Sequence, residues 1–182
     1  MRTFSFVAAL AAVSIPVMAQ QVQIPTLQVC NLTGGMAVSG SGSVSIPTRA
    51  DASHTGTFSV EVKLSCNSSG YPIGSLSLTG ISMTDSAIQG AINATTFEQL
   101  TSTGAATPTA YLNGRCSAQS ASGAEPTPCH YWIMFAHNNT EPSAKDVPDI
   151  VSFLVLDKAG HRLAYGTGPL NQGTIVVSPT GN

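Results

Sequence analysis

Apolar and polar residues alternate with a period of two along much of the chain. In TFSVEVKLSC, four apolar side chains from Phe58 to Leu64 share one face with Cys66, and the polar side chains share the other. Such alternation is typical of a strand with one buried face. The segment 34–46 and the run SLSLTGISMT repeat the pattern. We therefore predict strands there, with one face of each in a core.

Two later segments, HYWIMFAH and DIVSFLVLD, are apolar at nearly every position. Such continuous apolar runs predict central strands that are covered on both faces. Residues 149–166 read as a β-hairpin, with Gly160 supplying the positive φ of a bulged turn. GTIVVS predicts a last strand, and only DSAIQGAINATTFEQLTST could hold a helical turn or two.

About eight strands with frequent turn signals and little helix predict an all-β fold. We expect an antiparallel β-sandwich, Ig-like or jelly-roll-like, with a small barrel as the alternative. The Pro-punctuated linkers are short and do not indicate a domain boundary. Residues 20–182 are therefore expected to form a single β-sandwich domain.

The first 19 residues have the pattern of a secretory signal peptide. Arg2 precedes an apolar run from Phe4 to Val17, which Pro16 breaks, and a plausible cleavage site follows Ala19. No later segment has the roughly 18 consecutive apolar residues of a spanning helix. We expect a secreted or periplasmic protein without a membrane span.

Charge is sparse and gives no sign of a phosphate-binding surface. Without Arg2 the mature chain has six Lys and Arg against nine Asp and Glu, and charged residues are only 9% of the sequence. The electrostatics therefore argue against nucleic acid and anionic membranes as partners. The remaining expectation is a carbohydrate or an extracellular protein ligand.

Four cysteines follow the export signal, and disulfides are the default expectation in that context. Four cysteines allow three connectivities, which the sequence alone does not decide. We favour Cys116 with Cys129, which close the shortest loop, and this leaves Cys30 with Cys66. No C-x2-C or C-x4-C pair is present, so the spacing argues against a thiolate metal site. We predict neither a metal nor a cofactor.

Four N-x-S/T sequons are present, at Asn31, Asn67, Asn93 and Asn138. Sequons in an exported eukaryotic chain are acceptors for N-linked glycans on exposed segments. In a chain so rich in Ser and Thr, some of them are expected by chance. Glycosylation at these positions is therefore an expectation only for a eukaryotic source.

The stretch RCSAQSASGAEPTPCHYWIMF contains the only tryptophan. In an extended strand, His130, Trp132 and Met134 share one face, and the face of Cys129 and Tyr131 is core if Cys129 bonds inward. In sandwich domains a tryptophan commonly packs near a disulfide, so we expect Trp132 to pack in the core. The alternative is a ligand-binding platform on the surface.

On this alternative, Trp132, with His130 and Tyr111, would stack against a sugar ring or an apolar ligand. The loop 117–128 would then form the lip of the platform. A second candidate patch is GHRLAYGTGP, in which Arg162 and Tyr165 would contact a ligand.

Catalytic motifs are missing from the sequence. There is no G-x-S-x-G nucleophile elbow, and no helix follows the close glycines of SGSG or GTGPLN. The best acid/base neighbourhood is formed by His137, Asp146 and Asp149. The leading prediction is an exported non-enzymatic β-sandwich protein with a binding or surface role, with carbohydrate or cell-wall material as a candidate ligand. The alternative is a small secreted hydrolase that uses the His137, Asp146 and Asp149 loop.

Overall fold

The structure is a computed structural model and describes residues 30, 37–47, 55–82, 88–104, 107–138 and 147–178. The predicted signal peptide, the Asn31 sequon and Asp146 lie outside the described residues. Within those residues the chain forms nine strands: β1 (Ala37–Pro47), β2 (Thr55–Cys66), β3 (Pro72–Ser82), β4 (Gly90–Ala94), β5 (Gln99–Thr103), β6 (Thr109–Ser120), β7 (Thr127–Ala136), β8 (Ile150–Asp157) and β9 (Arg162–Ser178).

These strands form one sheet that closes on itself. Every pairing between these strands is antiparallel, and most neighbours in the sheet are consecutive along the chain; the exceptions are β1 with β9 and β4 with β6. The first half of β9 pairs with β8 and its second half pairs with β1, which joins the last strand to the first. In the same way β6 pairs with β5 and then with β4, so these two short strands fill one position. The ring therefore has eight strand positions.

The all-β antiparallel fold with little helix is confirmed, but the pairing describes a closed barrel rather than the predicted sandwich. Alternating strands are compatible with both architectures, because each has one buried face. The difference depends on the pairing of β1 with β9, from Ala37 with Ser178 to Val44 with Leu170. Nothing in the local pattern of either strand specifies that partner.

Inward side chains fill the barrel. Alternate positions of each long strand are buried, as β2 shows from Phe58 to Leu64. Phe58 and Phe153 meet edge to face across the interior, with ring centroids 4.8 Å apart. Barrels of eight strands have an interior just wide enough for side chains to fill. Burial of this apolar surface is the main stabilising contribution to the fold.

The prediction that β7 and β8 are covered on both faces is wrong. Their inward side chains are buried, but Trp132 and Leu154 on the outer face are exposed. A barrel has one interior, so each strand can bury only one face unless another layer packs outside it. The apolar outer face of these two strands therefore needs an explanation other than the core.

Both favoured disulfides are present. Cys116 and Cys129 face each other across β6 and β7, with their Cα atoms 4.8 Å apart. The bond between Cys30 and Cys66 ties the segment before β1 to the end of β2, and Cys30 also bridges to Leu100 of β5. Disulfides form and persist in oxidising compartments, so the two bonds are consistent with an extracellular or periplasmic environment.

The hairpin predicted for residues 149–166 is confirmed as β8, a turn and the start of β9. Gly160 has φ +85°, the left-handed conformation that favours glycine. The Asp157 carboxylate accepts hydrogen bonds from the backbone N–H groups of Ala159 and His161, both at 2.8 Å. The bond from His161 is the main reason that the pKa of Asp157 lies below its ordinary value.

The segment DSAIQGAINATTFEQLTST, the one candidate for a helical turn or two, forms β4 and β5 where it is described. Both strands pair with β6, so tertiary pairing decides the conformation of a segment whose local preference is weak. No helix long and apolar enough to cross a membrane occurs in the described part of the chain.

Candidate functional site

All five residues predicted as ligand contacts lie on the outer wall formed by β6, β7, β8 and β9. Trp132 is 45% exposed and Tyr111 is 48% exposed, so the expectation that Trp132 packs in the core is wrong. The disulfide explains why Trp132 is exposed. Cys129 and Tyr131 point inward and are buried, so His130 and Trp132, which alternate with them, point outward.

Strand register brings further side chains beside these aromatic rings. Trp132 lies opposite Asn113 on one side and Leu154 on the other. Tyr111 lies opposite Met134, which follows Trp132 by two residues on β7 and points to the same face. Tyr111 and Trp132 are therefore diagonal neighbours. Diagonal pairs on one face of a sheet are within reach of aromatic side chains. The two rings therefore belong to one surface feature.

That feature is a shallow open groove of about 290 Å³ across β5 to β8, which we call the aromatic groove. Tyr111, Trp132, Met134 and Leu154 supply its apolar surface. Polar groups alternate with them, and they are the side chains of Gln99, Thr101, Asn113 and Ser152. Aromatic surface with a few convergent polar groups is the usual composition of a small-ligand site.

The two amides of the groove are held in place by each other. Asn113 Nδ2 donates to Gln99 Oε1 at 3.1 Å. This bond leaves Asn113 Oδ1 as an acceptor and Gln99 Nε2 as a donor in the same polar pair, since each amide has both functions. Such a pair can bond two adjacent hydroxyl groups of one ligand.

The β4–β5 connection places Gln99 at the edge of the groove. The backbone N–H groups of Thr95 and Thr96 donate to Arg115 O at 2.8 and 3.2 Å. From inside the barrel, the Tyr131 hydroxyl donates to Thr96 O at 3.0 Å. Burial, and secondarily the Glu98 carboxylate, raise the pKa of Tyr131, so that the hydroxyl keeps the proton it donates.

The remaining predicted residues lie beside the groove rather than in it. His130 is next to Trp132 on the same strand face, with ring centroids 6.4 Å apart and planes inclined by 31°. Tyr165 lies opposite Leu154, and the Arg162 guanidinium sits over the Tyr165 ring at 4.1 Å from its centroid. The two patches predicted separately are therefore parts of one wall.

The loop predicted as the lip does not line the groove. Residues 117–120 and 127–128 continue the β6–β7 hairpin beyond the disulfide, on the far side from Trp132. Sequence reasoning also missed the polar residues of the groove. Asn113 could have been found, because pairing Cys116 with Cys129 in register puts it opposite Trp132. Gln99 had no such signal.

His137 and Asp149, the described members of the predicted acid/base neighbourhood, are hydrogen-bonded to each other. His137 Nδ1 lies 3.1 Å from Asp149 Oδ1, which also accepts from the Asn138 N–H at 2.9 Å. Asp149 Oδ2 accepts from the Ile175 N–H at 2.9 Å. The Asp149 residue is only 4% exposed. Its carboxylate thus connects the ends of β7, β8 and the middle of β9.

Three of the four sequons fall on described residues. Asn93 is exposed on β4, and Asn67 shapes the β2–β3 turn by accepting from the N–H groups of Ser69 and Tyr71. Asn138 Nδ2 donates to Pro148 O at 2.8 Å. Within the described residues, no group of three or more His, Cys, Asp or Glu side chains is arranged to hold a metal ion.

No protein-family model, no curated protein and no solved structure matches this chain. The aromatic groove and the residues beside it are therefore the basis for assigning a function.

Proposed function

We propose that this protein is exported and binds carbohydrate without catalysis, in the aromatic groove. The observation that carries the proposal is the placement of Tyr111 and Trp132 beside the Asn113–Gln99 amide pair on an exposed wall. An extracellular protein that presents a similar polar and aromatic surface is the other class of ligand.

The chemistry of a sugar ring matches this combination. A pyranose has an apolar C–H face, which packs against an aromatic ring, and a rim of hydroxyl groups that need donors and acceptors. Trp132 and Tyr111 offer the rings, and Asn113 with Gln99 offers a donor and an acceptor. Exposed Trp and Tyr contribute nothing to the interior of the barrel, so a binding role accounts for them better than packing does.

The surroundings of the groove suit a ligand outside the cell. The two disulfides are consistent with an oxidising compartment. The groove is open and shallow, which admits an extended chain as readily as a single ring. These features support a binding protein for polysaccharide better than one for a small enclosed metabolite.

Trp132→Ala is expected to weaken binding to a soluble polysaccharide about ten- to hundredfold, because a central tryptophan carries a large share of the binding energy of such sites. Isothermal titration of the mature, oxidised protein against neutral and acidic oligosaccharides measures the effect. Tyr71→Ala is the matched control, since Tyr71 is 57% exposed in the β2–β3 turn, away from the groove. Equal affinities of the two variants for every oligosaccharide that binds the parent protein would contradict the proposal.

The competing function is the predicted hydrolase, and the His137–Asp149 hydrogen bond is the observation that favours it. A carboxylate that orients a histidine is the usual support for a general base. If the protein has hydrolytic activity, His137→Ala is expected to reduce kcat at least about a hundredfold, the usual contribution of a general base. Activity that survives this change would exclude the site, and Trp132→Ala serves as a control outside it.

A further inference from the structure

The aromatic groove has a border of two arginines and a histidine on one side. Arg115 on β6 lies opposite His130 on β7, and His130 lies opposite Leu156 on β8, which in turn faces Arg162 on β9. We call Arg115, His130 and Arg162 the basic border. Along β7, His130 lies one outward position from Trp132, about 6.7 Å away. Arg115 lies on the neighbouring strand β6, and Arg162 lies two strands away on β9.

Positive charge is concentrated on this part of the wall, although the whole chain has a net charge of −2. On β6, β7 and β9 as described, no Asp or Glu occupies any position, and β8 has only Asp157 at its end. The nearby acids are Asp157, whose Oδ2 lies 3.1 Å from His161 Nδ1, and Glu98, whose Oε1 lies 3.3 Å from Arg115 Nε. Because both side chains of the Arg115–Glu98 pair are largely exposed, the pair is weak and leaves the other guanidinium N–H groups of Arg115 available.

Arg162 is oriented by its contact with Tyr165. A guanidinium held over a ring loses less freedom when it binds a further partner, and the edge of its plane keeps N–H groups that can donate. A planar carboxylate fits that edge through two parallel hydrogen bonds. Among the described residues, no acidic side chain forms an ion pair with Arg162. The group is therefore available to an anionic ligand.

We propose that the preferred ligand of the groove is an acidic glycan of the polyuronate class, whose rings stack on Trp132 while its carboxylates meet the basic border. The proposal rests on the proposed function and adds the substrate class. Carboxylates occur at regular intervals along such a chain, and the border lies within one or two sugar units of the tryptophan. A neutral glycan would fill the groove but leave the border without a partner.

Titration with a galacturonic acid hexamer and with a neutral cello-oligosaccharide of equal length, at low ionic strength, tests this. We expect the acidic hexamer to bind at least about tenfold more tightly, with an advantage that shrinks as salt is added. Arg162→Gln should weaken binding of the acidic hexamer about five- to tenfold and leave binding of the neutral one unchanged. Lys63→Gln, which removes the same charge from the exposed face of β2, should change neither.

Tighter binding of the neutral oligomer, an equal effect of Arg162→Gln on both ligands, or no binding of the acidic hexamer would each overturn the polyuronate assignment. Trp132→Ala separates this failure from failure of the proposed function. If the neutral oligomer binds and Trp132→Ala abolishes its binding, carbohydrate binding in the groove stands and only the acidic preference is wrong. If neither ligand responds to Trp132→Ala, the groove is not a glycan site.

Discussion

Asp149→Asn is expected to lower the free energy of unfolding by about 2–4 kcal/mol. The Asp149 carboxylate accepts hydrogen bonds from the backbone N–H groups of Asn138 and Ile175 and from the His137 imidazole. The hydrogen bond from Ile175 is buried. An amide of the same size has one acceptor atom instead of two, and its NH₂ group would face a donor. A buried N–H without an acceptor costs about 1–3 kcal/mol, because water cannot replace the lost partner.

The measurement is urea-induced unfolding of the oxidised protein. Asp157→Asn is the matched control, because Asp157 lies at the other end of β8 and also accepts two backbone N–H groups, but in an exposed turn. Water can solvate the groups released there, so we expect a much smaller loss than for Asp149→Asn. Comparable losses in the two variants would show that Asp149 does not hold the end of the barrel together.

Gly114→Ala is expected to destabilise the protein by about 2–4 kcal/mol, although Gly114 does not have a positive φ. A Cβ atom at this position would lie 2.1 Å from Thr96 O and 2.8 Å from the Tyr131 hydroxyl. The obstacle is backbone, so the β4–β5 connection would have to move. That movement would break the hydrogen bond from Tyr131 to Thr96 O and displace Gln99 from the groove.

Gly123→Ala separates this steric cost from the ordinary cost of replacing glycine. Gly123 has φ +77° and nothing within 4 Å of an added Cβ, so the change should cost about 1–2 kcal/mol through backbone strain alone. Thermal and urea unfolding measure both losses. If Gly114→Ala is as stable as the parent protein, the close approach of Thr96 to β6 is not required by the fold.

Part of the site follows from the sequence through one physical constraint. The inward disulfide between Cys116 and Cys129 fixes both the register of β6 with β7 and the direction in which each side chain points. With that bond, alternation alone places Trp132 outside and Tyr131 inside, because side chains on a strand change sides at every residue. The prediction of a buried tryptophan is wrong because it was based on the frequent packing of tryptophan near a disulfide in sandwich domains, and not on this alternation.

Other parts of the site have no local signal. The sequence grouped Asp149 with His137, but nothing in it indicated that the Asp149 carboxylate accepts from the backbone N–H groups of Asn138 and Ile175. Gln99 reaches the groove only because β5 pairs with the first half of β6. The two patches around Trp132 and Tyr165 lie on one wall because β8 pairs with β7 on one side and with β9 on the other.

The sequence by itself determined the all-β fold and the inward face of strictly alternating strands such as β2, since these depend on local alternation. It favoured the two disulfides through loop length, and the structure decided among the three possible pairings. Only the tertiary structure decided that the sheet closes into a barrel, that its outer wall carries the aromatic groove, and that Arg115, His130 and Arg162 border it. Backbone hydrogen bonds between strands are the same for every pair of partners. Which strands meet is therefore decided by the packing of the whole interior, and the surface sites follow from that choice.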